Sequence, residues 1–174
     1  MSLKLGSLLL LLAIPASVPA SVKRAAIEGR AFPVNALPPL TYSPKKYTFY
    51  IEDATFWQAW QLCRSKDKRL ATIENLQDHM AYTTALSPIE DVDSLEFWIA
   101  GTNLGAKAGD YDKYYWITND RPVGNLNEFG NWFEGITPFI PNVCMATYLG
   151  SAKWIYGDCV TPKSGYACEE SQDV

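Results

Sequence analysis

Hydrophobic positions along the chain change register three times, and each change marks a boundary. The first block, Leu5 to Ile14, is continuous and follows a single basic residue, Lys4. Small residues at Val18-Pro19-Ala20 complete the layout of a secretory signal over residues 1–20, with cleavage expected after Ala20. The block is shorter than the roughly 20 residues that cross a bilayer, and no later segment comes close, so no membrane span is expected. Residues 21–46 then lose hydrophobic periodicity and contain Pro33, Pro38, Pro39 and Pro44 with the dibasic pair Lys23-Arg24, which reads as an extended leader or linker. The dibasic pair is a candidate processing site, although two charges flanking a flexible terminus are the favoured reading.

From Tyr47 the pattern becomes dense in aromatics, and all six tryptophans lie between here and Trp154. "KYTFYI" predicts a strand. Thr55 followed by Gln58 is a capping-box pattern, and Phe56, Ala59, Trp60 and Cys63 recur behind it at helical spacing, which predicts a first helix with Cys63 on its buried face. A second helix is predicted from Asn75, with Asp78 near its positive end and Leu76 and Met80 on one side. Short aromatic and β-branched runs follow, "FWIAGT", "YYWIT", "VCMATYL", "KWIYGDC" and "GYACEE", and these predict strands. About 25 residues between Trp116 and Cys144 show little regular pattern; loops of that length in a compact domain are usually functional or disordered, and the tryptophan and cysteines around this one point to order. Residues 47–170, about 125 in all, suffice for one well-cored domain, and residues 171–174 form a short tail. The expected fold class is α+β, with two helices, small antiparallel sheets and a long ordered loop.

Charge and cysteine usage narrow the setting. The chain of 174 residues carries a formal net charge of −4, and loss of the signal removes only Lys4, leaving 14 basic against 19 acidic residues. An acidic chain disfavours nucleic acid as a partner. Cys63, Cys144, Cys159 and Cys168 all follow the signal, and an even number in an exported chain argues for two disulfides. Spacings of 81, 15 and 9 residues contain no C-x-x-C pair of the kind zinc sites usually show. Four cysteines allow three connectivities, and sequence leaves them open.

"WQAWQLC" on the first helix, "RLATIEN" leading to the second, "FWIAGTN", "WITND", Asn131-Trp132, and the closing series Cys144, Trp154, Cys159, Cys168-Glu169 together resemble the C-type lectin-like domain family. The match covers essentially Tyr47 to Glu170, and the chain is similar to small single-domain members that invertebrates secrete. The resemblance implies that Cys63 pairs with Cys168 and Cys144 with Cys159. It also implies a non-catalytic recognition domain that presents its long loop to a ligand.

Sugar-binding members of that family carry Glu-Pro-Asn or Gln-Pro-Asp shortly after the loop tryptophan, an acidic residue two positions before the next cysteine, and Trp-Asn-Asp before the one after. Calcium needs 6–8 oxygen ligands, so these groups work only together. Here the triplet positions hold Ile136, Thr137 and Pro138; Asn142 precedes Cys144 by two, and Ile155 and Tyr156 follow Trp154. The frame is kept and the oxygen donors are gone, so no cofactor is expected at the usual sugar site. Glu128 and Glu134 are the nearest carboxylates, and solvated loop acids are the simpler reading of both.

Other residues carry less. His79 is the single histidine, with no nucleophile identifiable beside it, and is expected on an exposed helix surface. "IEDVDSLE" gathers Glu90, Asp91, Asp93 and Glu96, read as a solvated acidic loop because no Gly-containing calcium-loop pattern accompanies it. "CRSKDKR" places Arg64, Lys66, Lys68 and Arg69 at a helix C-terminus, where cations are favoured and where an anionic glycan would also fit. Tyr111, Tyr114 and Tyr115 with Trp116 offer an aromatic platform of which at most one or two rings are expected to be free. The functional expectation is a secreted, extracellular, non-enzymatic protein with a glycan or protein ligand and calcium-independent binding. A sugar contact is expected to use Asn127, Glu128, Glu134, Asn142 or Tyr156. The alternative is a structural component of the extracellular matrix with no discrete small ligand.

Overall fold

The computed structural model describes residues 44–89, 94–124 and 129–170. The segments expected as signal (1–20) and tail (171–174), and nearly all of the expected leader (21–46), lie outside the described residues, as do Glu90, Asp91, Asp93, Asn127 and Glu128.

The elements run β1 (Tyr47–Tyr50), α1 (Phe56–Arg64), β2 (Lys68–Leu70), α2 (Leu76–Leu86), β3 (Glu96–Thr102), β4 (Tyr115–Trp116), β5 (Arg121–Pro122), β6 (Val143–Tyr148), β7 (Trp154–Asp158) and β8 (Gly165–Glu170). Helix α1 opens as its sequence requires. Thr55 Oγ1 accepts from Gln58 N, and Gln58 Oε1 accepts from Thr55 N at 2.9 Å, so two otherwise unpaired donors are satisfied reciprocally. Phe56, Ala59 and Cys63 are buried on its inner face, with Trp60 half-buried at the margin.

Helix α2 begins at its expected cap, where Asn75 Oδ1 accepts from Asp78 N at 2.8 Å. Its inner face is not the one that hydropathy picks out. Leu76 and Met80 are exposed, while Asp78, Tyr82 and Leu86, spaced four residues apart, turn inward. Polar partners waiting in the core explain the inversion. Asp78 meets the Lys45 ammonium at 2.9 Å and accepts from Glu74 N, and the Tyr82 and Thr147 hydroxyls lie 2.6 Å apart.

The strands join in one connected sheet rather than several small ones. β8 is flanked by β1 and β2, both antiparallel to it, and runs parallel to β3 at Phe97↔Gly165 and Trp98↔Tyr166. β3 also pairs with β6 and β4, and β6 continues to β7. A strand with partners on every side is buried throughout, and Phe97 to Thr102 are all buried. Gly165 is required at the β3–β8 contact, because a Cβ there would strike Tyr50 O and lie 2.8 Å from the Phe97 ring.

Two disulfides close this framework, Cys63–Cys168 between α1 and β8 and Cys144–Cys159 between β6 and the end of β7. With β1 paired along β8, the first and last strands of the sheet lie side by side.

Candidate functional site

The long segment between β4 and β6 is held by two buried amides, one acting near its C-terminal end and one in its middle. Asn103, immediately after β3, is fully buried and donates through Nδ2 to Tyr111 O at 2.7 Å and Ile140 O at 2.6 Å, while its Oδ1 accepts from Val143 N. Asn131 donates to Ala152 O at 2.9 Å, and its own carbonyl accepts from Trp154 N. Buried amides with this many partners fix irregular backbone as a strand ladder fixes regular backbone. Neither asparagine was singled out from sequence for this role; the signal available was an amide directly after a buried strand in one case and directly before a tryptophan in the other.

Trp132 supplies the apolar anchor. It bridges to Trp154 in parallel and packs edge-on against both Trp154, 5.7 Å between ring centroids, and Tyr114, 5.0 Å. The Tyr114 hydroxyl donates to Pro138 O, and burial pushes its phenol up to about 12. Residues 129–142 of the loop therefore form a wall built on Trp132 and Trp154.

Beside that wall lies a cleft of about 230 Å³ lined by Trp132, Phe133, Glu134, Ile136, Ile155 and Tyr156, with Glu96 at its margin. Lys163 pairs with Glu96, and its ammonium stands 4.9 Å from the Trp98 ring centroid. A wider depression of about 660 Å³ shares Trp132 and Trp154 and includes Asp112, Lys113, Tyr114 and Thr137.

Of the residues expected to contact a sugar, the cleft brings together Glu134 and Tyr156. Asn142 is exposed in the turn entering β6, with φ of 58°, and does not line the cleft. The remaining candidates have other settings. Tyr114 and Trp116 are buried, Tyr115 donates its hydroxyl to Leu104 O, and half-buried Tyr111 packs edge-on to Phe139, so no free aromatic platform forms. The basic cluster is divided among separate partners: Arg64 lies over Trp60, Lys66 over Tyr50, Lys68 bonds to Thr48, and Arg69 pairs with Glu169 at 3.0 Å.

His79 departs from the expected exposed position. It is half-buried between α2 and the long segment, 5.8 Å from the Phe129 ring and 3.4 Å from Asn131 Nδ2. Burial, reinforced by the Lys153 charge, holds its imidazole below the ordinary histidine value.

The donor set of the cleft does not suit calcium. Ile136 is 69% exposed and Ile155 presents hydrocarbon, which leaves the Glu134 carboxylate, the Tyr156 phenol and the Glu96 carboxylate, already paired with Lys163, as the side-chain oxygens of the lining. That is far from the 6–8 oxygens the ion takes. Among the described residues, no group of three or more His, Cys, Asp or Glu side chains is placed to hold a metal.

No protein-family model matches the chain. Protein A16 of Anopheles gambiae is 34% identical over 130 residues, a match spanning 72% of this chain and 62% of that protein, so the chain covers less than two thirds of this relative's length. The carbohydrate-recognition domain of cow CD23, solved in the presence of a GlcNAc2Man3 oligosaccharide, superposes with a TM-score of 0.58 at 19% identity, over 76% of this chain and 92% of that one. The calcium-independent C-type lectin SPL-2 of Saxidomus purpuratus superposes with a TM-score of 0.56 at 20% identity, over 76% and 91%. With two leading helices, two disulfides and a long loop anchored on Trp132 between β5 and β6, residues 44–170 have the C-type lectin-like fold.

Proposed function

We propose that the chain is a secreted, non-catalytic recognition protein that binds a glycan or an extracellular protein on its long-loop face without a sugar-coordinating calcium ion. The observation that carries this reading is the cleft beside Trp132. Ile136, Ile155 and Tyr156, which line it, stand at the sequence positions where the sugar-binding motifs of the C-type lectin-like family would supply calcium ligands. An ordered concave surface is retained while the ion's ligands are replaced by hydrocarbon and phenol. The solved SPL-2 structure, described as a calcium-independent lectin, supports the compatibility of this fold with such binding.

Secretion and cleavage after Ala20 belong to the same reading. Two disulfides fit an oxidising compartment, and no helix among the described residues is long and apolar enough to cross a membrane.

Calcium titration followed by thermal melting tests the ion-free reading, because an ion that binds the native state raises its stability with occupancy. No shift of the melting temperature is expected at millimolar calcium. A glycan array probed in chelator, alongside cross-linking in extracellular fluid, tests recognition. Binding to mannose- or galactose-type ligands that disappears in chelator would refute it.

A further inference from the structure

The cleft beside Trp132 has the composition of a receptor for an organic cation. Trp132, Phe133 and Tyr156 give it aromatic walls, and the charged groups lining it, Glu96 and Glu134, are both acids. Lys163 compensates Glu96 from inside the domain. Glu134 is exposed, and among the described residues no cation pairs with it. Aromatic faces attract ammonium and guanidinium groups, and an unpaired carboxylate beside them supplies the matching charge.

We propose that this cleft takes one lysine or arginine side chain presented by a basic protein partner, with the cationic head held between the aromatic walls and Glu134. The inference rests on the long-loop face being the recognition surface. Size favours a single side chain: about 230 Å³ lies below the roughly 300–1,000 Å³ of pockets that enclose small molecules. The surroundings favour a protein. Phe133 and Ile136, in the turn that lines the cleft, are 61% and 69% exposed, an apolar rim that a polypeptide covers better than a sugar's hydroxyls do. The chain's net charge of −4 and pI near 5.0 draw a basic partner to it.

The test uses the purified full chain and three probes of equal length: a lysine-rich peptide, its Nε-acetylated form, and an acidic peptide. Titration followed by tryptophan fluorescence reads the cleft, since Trp132 and Trp154 line it. The lysine-rich peptide is expected to bind, more weakly as salt rises, and the acetylated and acidic peptides to bind at least tenfold more weakly. Glu134→Gln and Tyr156→Ala should each reduce affinity for the lysine-rich peptide by tenfold or more while leaving the melting temperature in place. Equal binding of the free and acetylated peptides, or unchanged affinity in Glu134→Gln, overturns the proposal. Silence toward basic peptides combined with chelator-resistant retention on a glycan array removes the cationic ligand and keeps the recognition face. Silence toward peptides, glycans and extracellular proteins alike removes both.

Discussion

The Lys45 ammonium lies 2.9 Å from the Asp78 carboxylate, inside the junction where β1, α2 and β8 meet. Glu74 and Glu169 approach the same nitrogen at 3.8 and 3.7 Å, and Thr72 Oγ1 lies 2.6 Å away. The Lys45, Asp78 and Glu169 side chains are 10%, 0% and 1% exposed, so Lys45 balances carboxylates that water scarcely reaches, with Arg69 also pairing Glu169 and Arg121 pairing Glu74. Removing one partner from a buried ion pair leaves the other uncompensated, at a cost of about 3–5 kcal/mol. Lys45→Met should therefore lower unfolding free energy by about 3 kcal/mol or more. Urea denaturation at neutral pH measures it; a loss under about 1 kcal/mol would show that Arg69 and Arg121 suffice for the cluster.

That cluster also explains what the sequence concealed. Element order was legible because its signals are local: the Thr55–Gln58 box, the Asn75 cap, and aromatic runs bounded by turns. The inner face of α2 was not, since an aspartate turned inward contradicts hydropathy and its partner Lys45 stands on a distant segment. β2 and β5 have three and two residues, too few to show a period. The cleft itself was not legible: the sequence pointed to Glu134 and Tyr156, which line it, but named Ile136 and Ile155 only as replacements for calcium ligands, and its concavity depends on how Trp132 and Trp154 pack in the folded chain. The pinning of the loop by Asn103 and Asn131 was illegible because both amides bond chiefly to backbone carbonyls that only the folded chain brings near.

The two disulfides should contribute unequally. Cys63–Cys168 closes a separation of 105 residues and Cys144–Cys159 one of 15. In the chain-entropy account, loops of about these lengths stabilise by about 4.7 and 3 kcal/mol respectively. Paired alanine variants, Cys63→Ala with Cys168→Ala and Cys144→Ala with Cys159→Ala, compared by chemical denaturation, are expected to rank in that order. The longer-loop variant should be the one that fails to fold at physiological temperature.

His79 makes stability sensitive to mild acid. Its folded-state pKa is lowered from the ordinary 6.5 by burial first and the Lys153 charge second, so the native state binds the proton less readily than the unfolded chain. The stabilisation is fully present above pH 6.5 and is lost as pH falls from there through the lowered folded value. As the single histidine, it titrates without interference from another imidazole. Melting temperature should fall between pH 7.5 and about 5.5, and His79→Gln should flatten the slope across that window. Proton NMR of the one imidazole gives the direct measurement; a titration at or above 6.5 would contradict the lowered value.

Trp132 and Ile136, four residues apart on the same wall, should separate architecture from recognition. Trp132 is 7% exposed and wedged between Tyr114 and Trp154. Truncating a buried tryptophan to alanine removes its transfer free energy and leaves a cavity, about 3–5 kcal/mol together. Trp132→Ala should accordingly lower the melting temperature steeply and abolish ligand binding by releasing the loop. Ile136 is 69% exposed and lines the cleft from outside the core. Ile136→Ser should leave stability within about 0.5 kcal/mol of the parent, the usual range for a surface position, while weakening whatever ligand occupies the cleft. Thermal melts and binding titrations on the two variants separate these effects, and a binding loss in Trp132→Ala with Ile136→Ser at full affinity would place the ligand on the wider depression lined by Asp112, Lys113 and Thr137 instead.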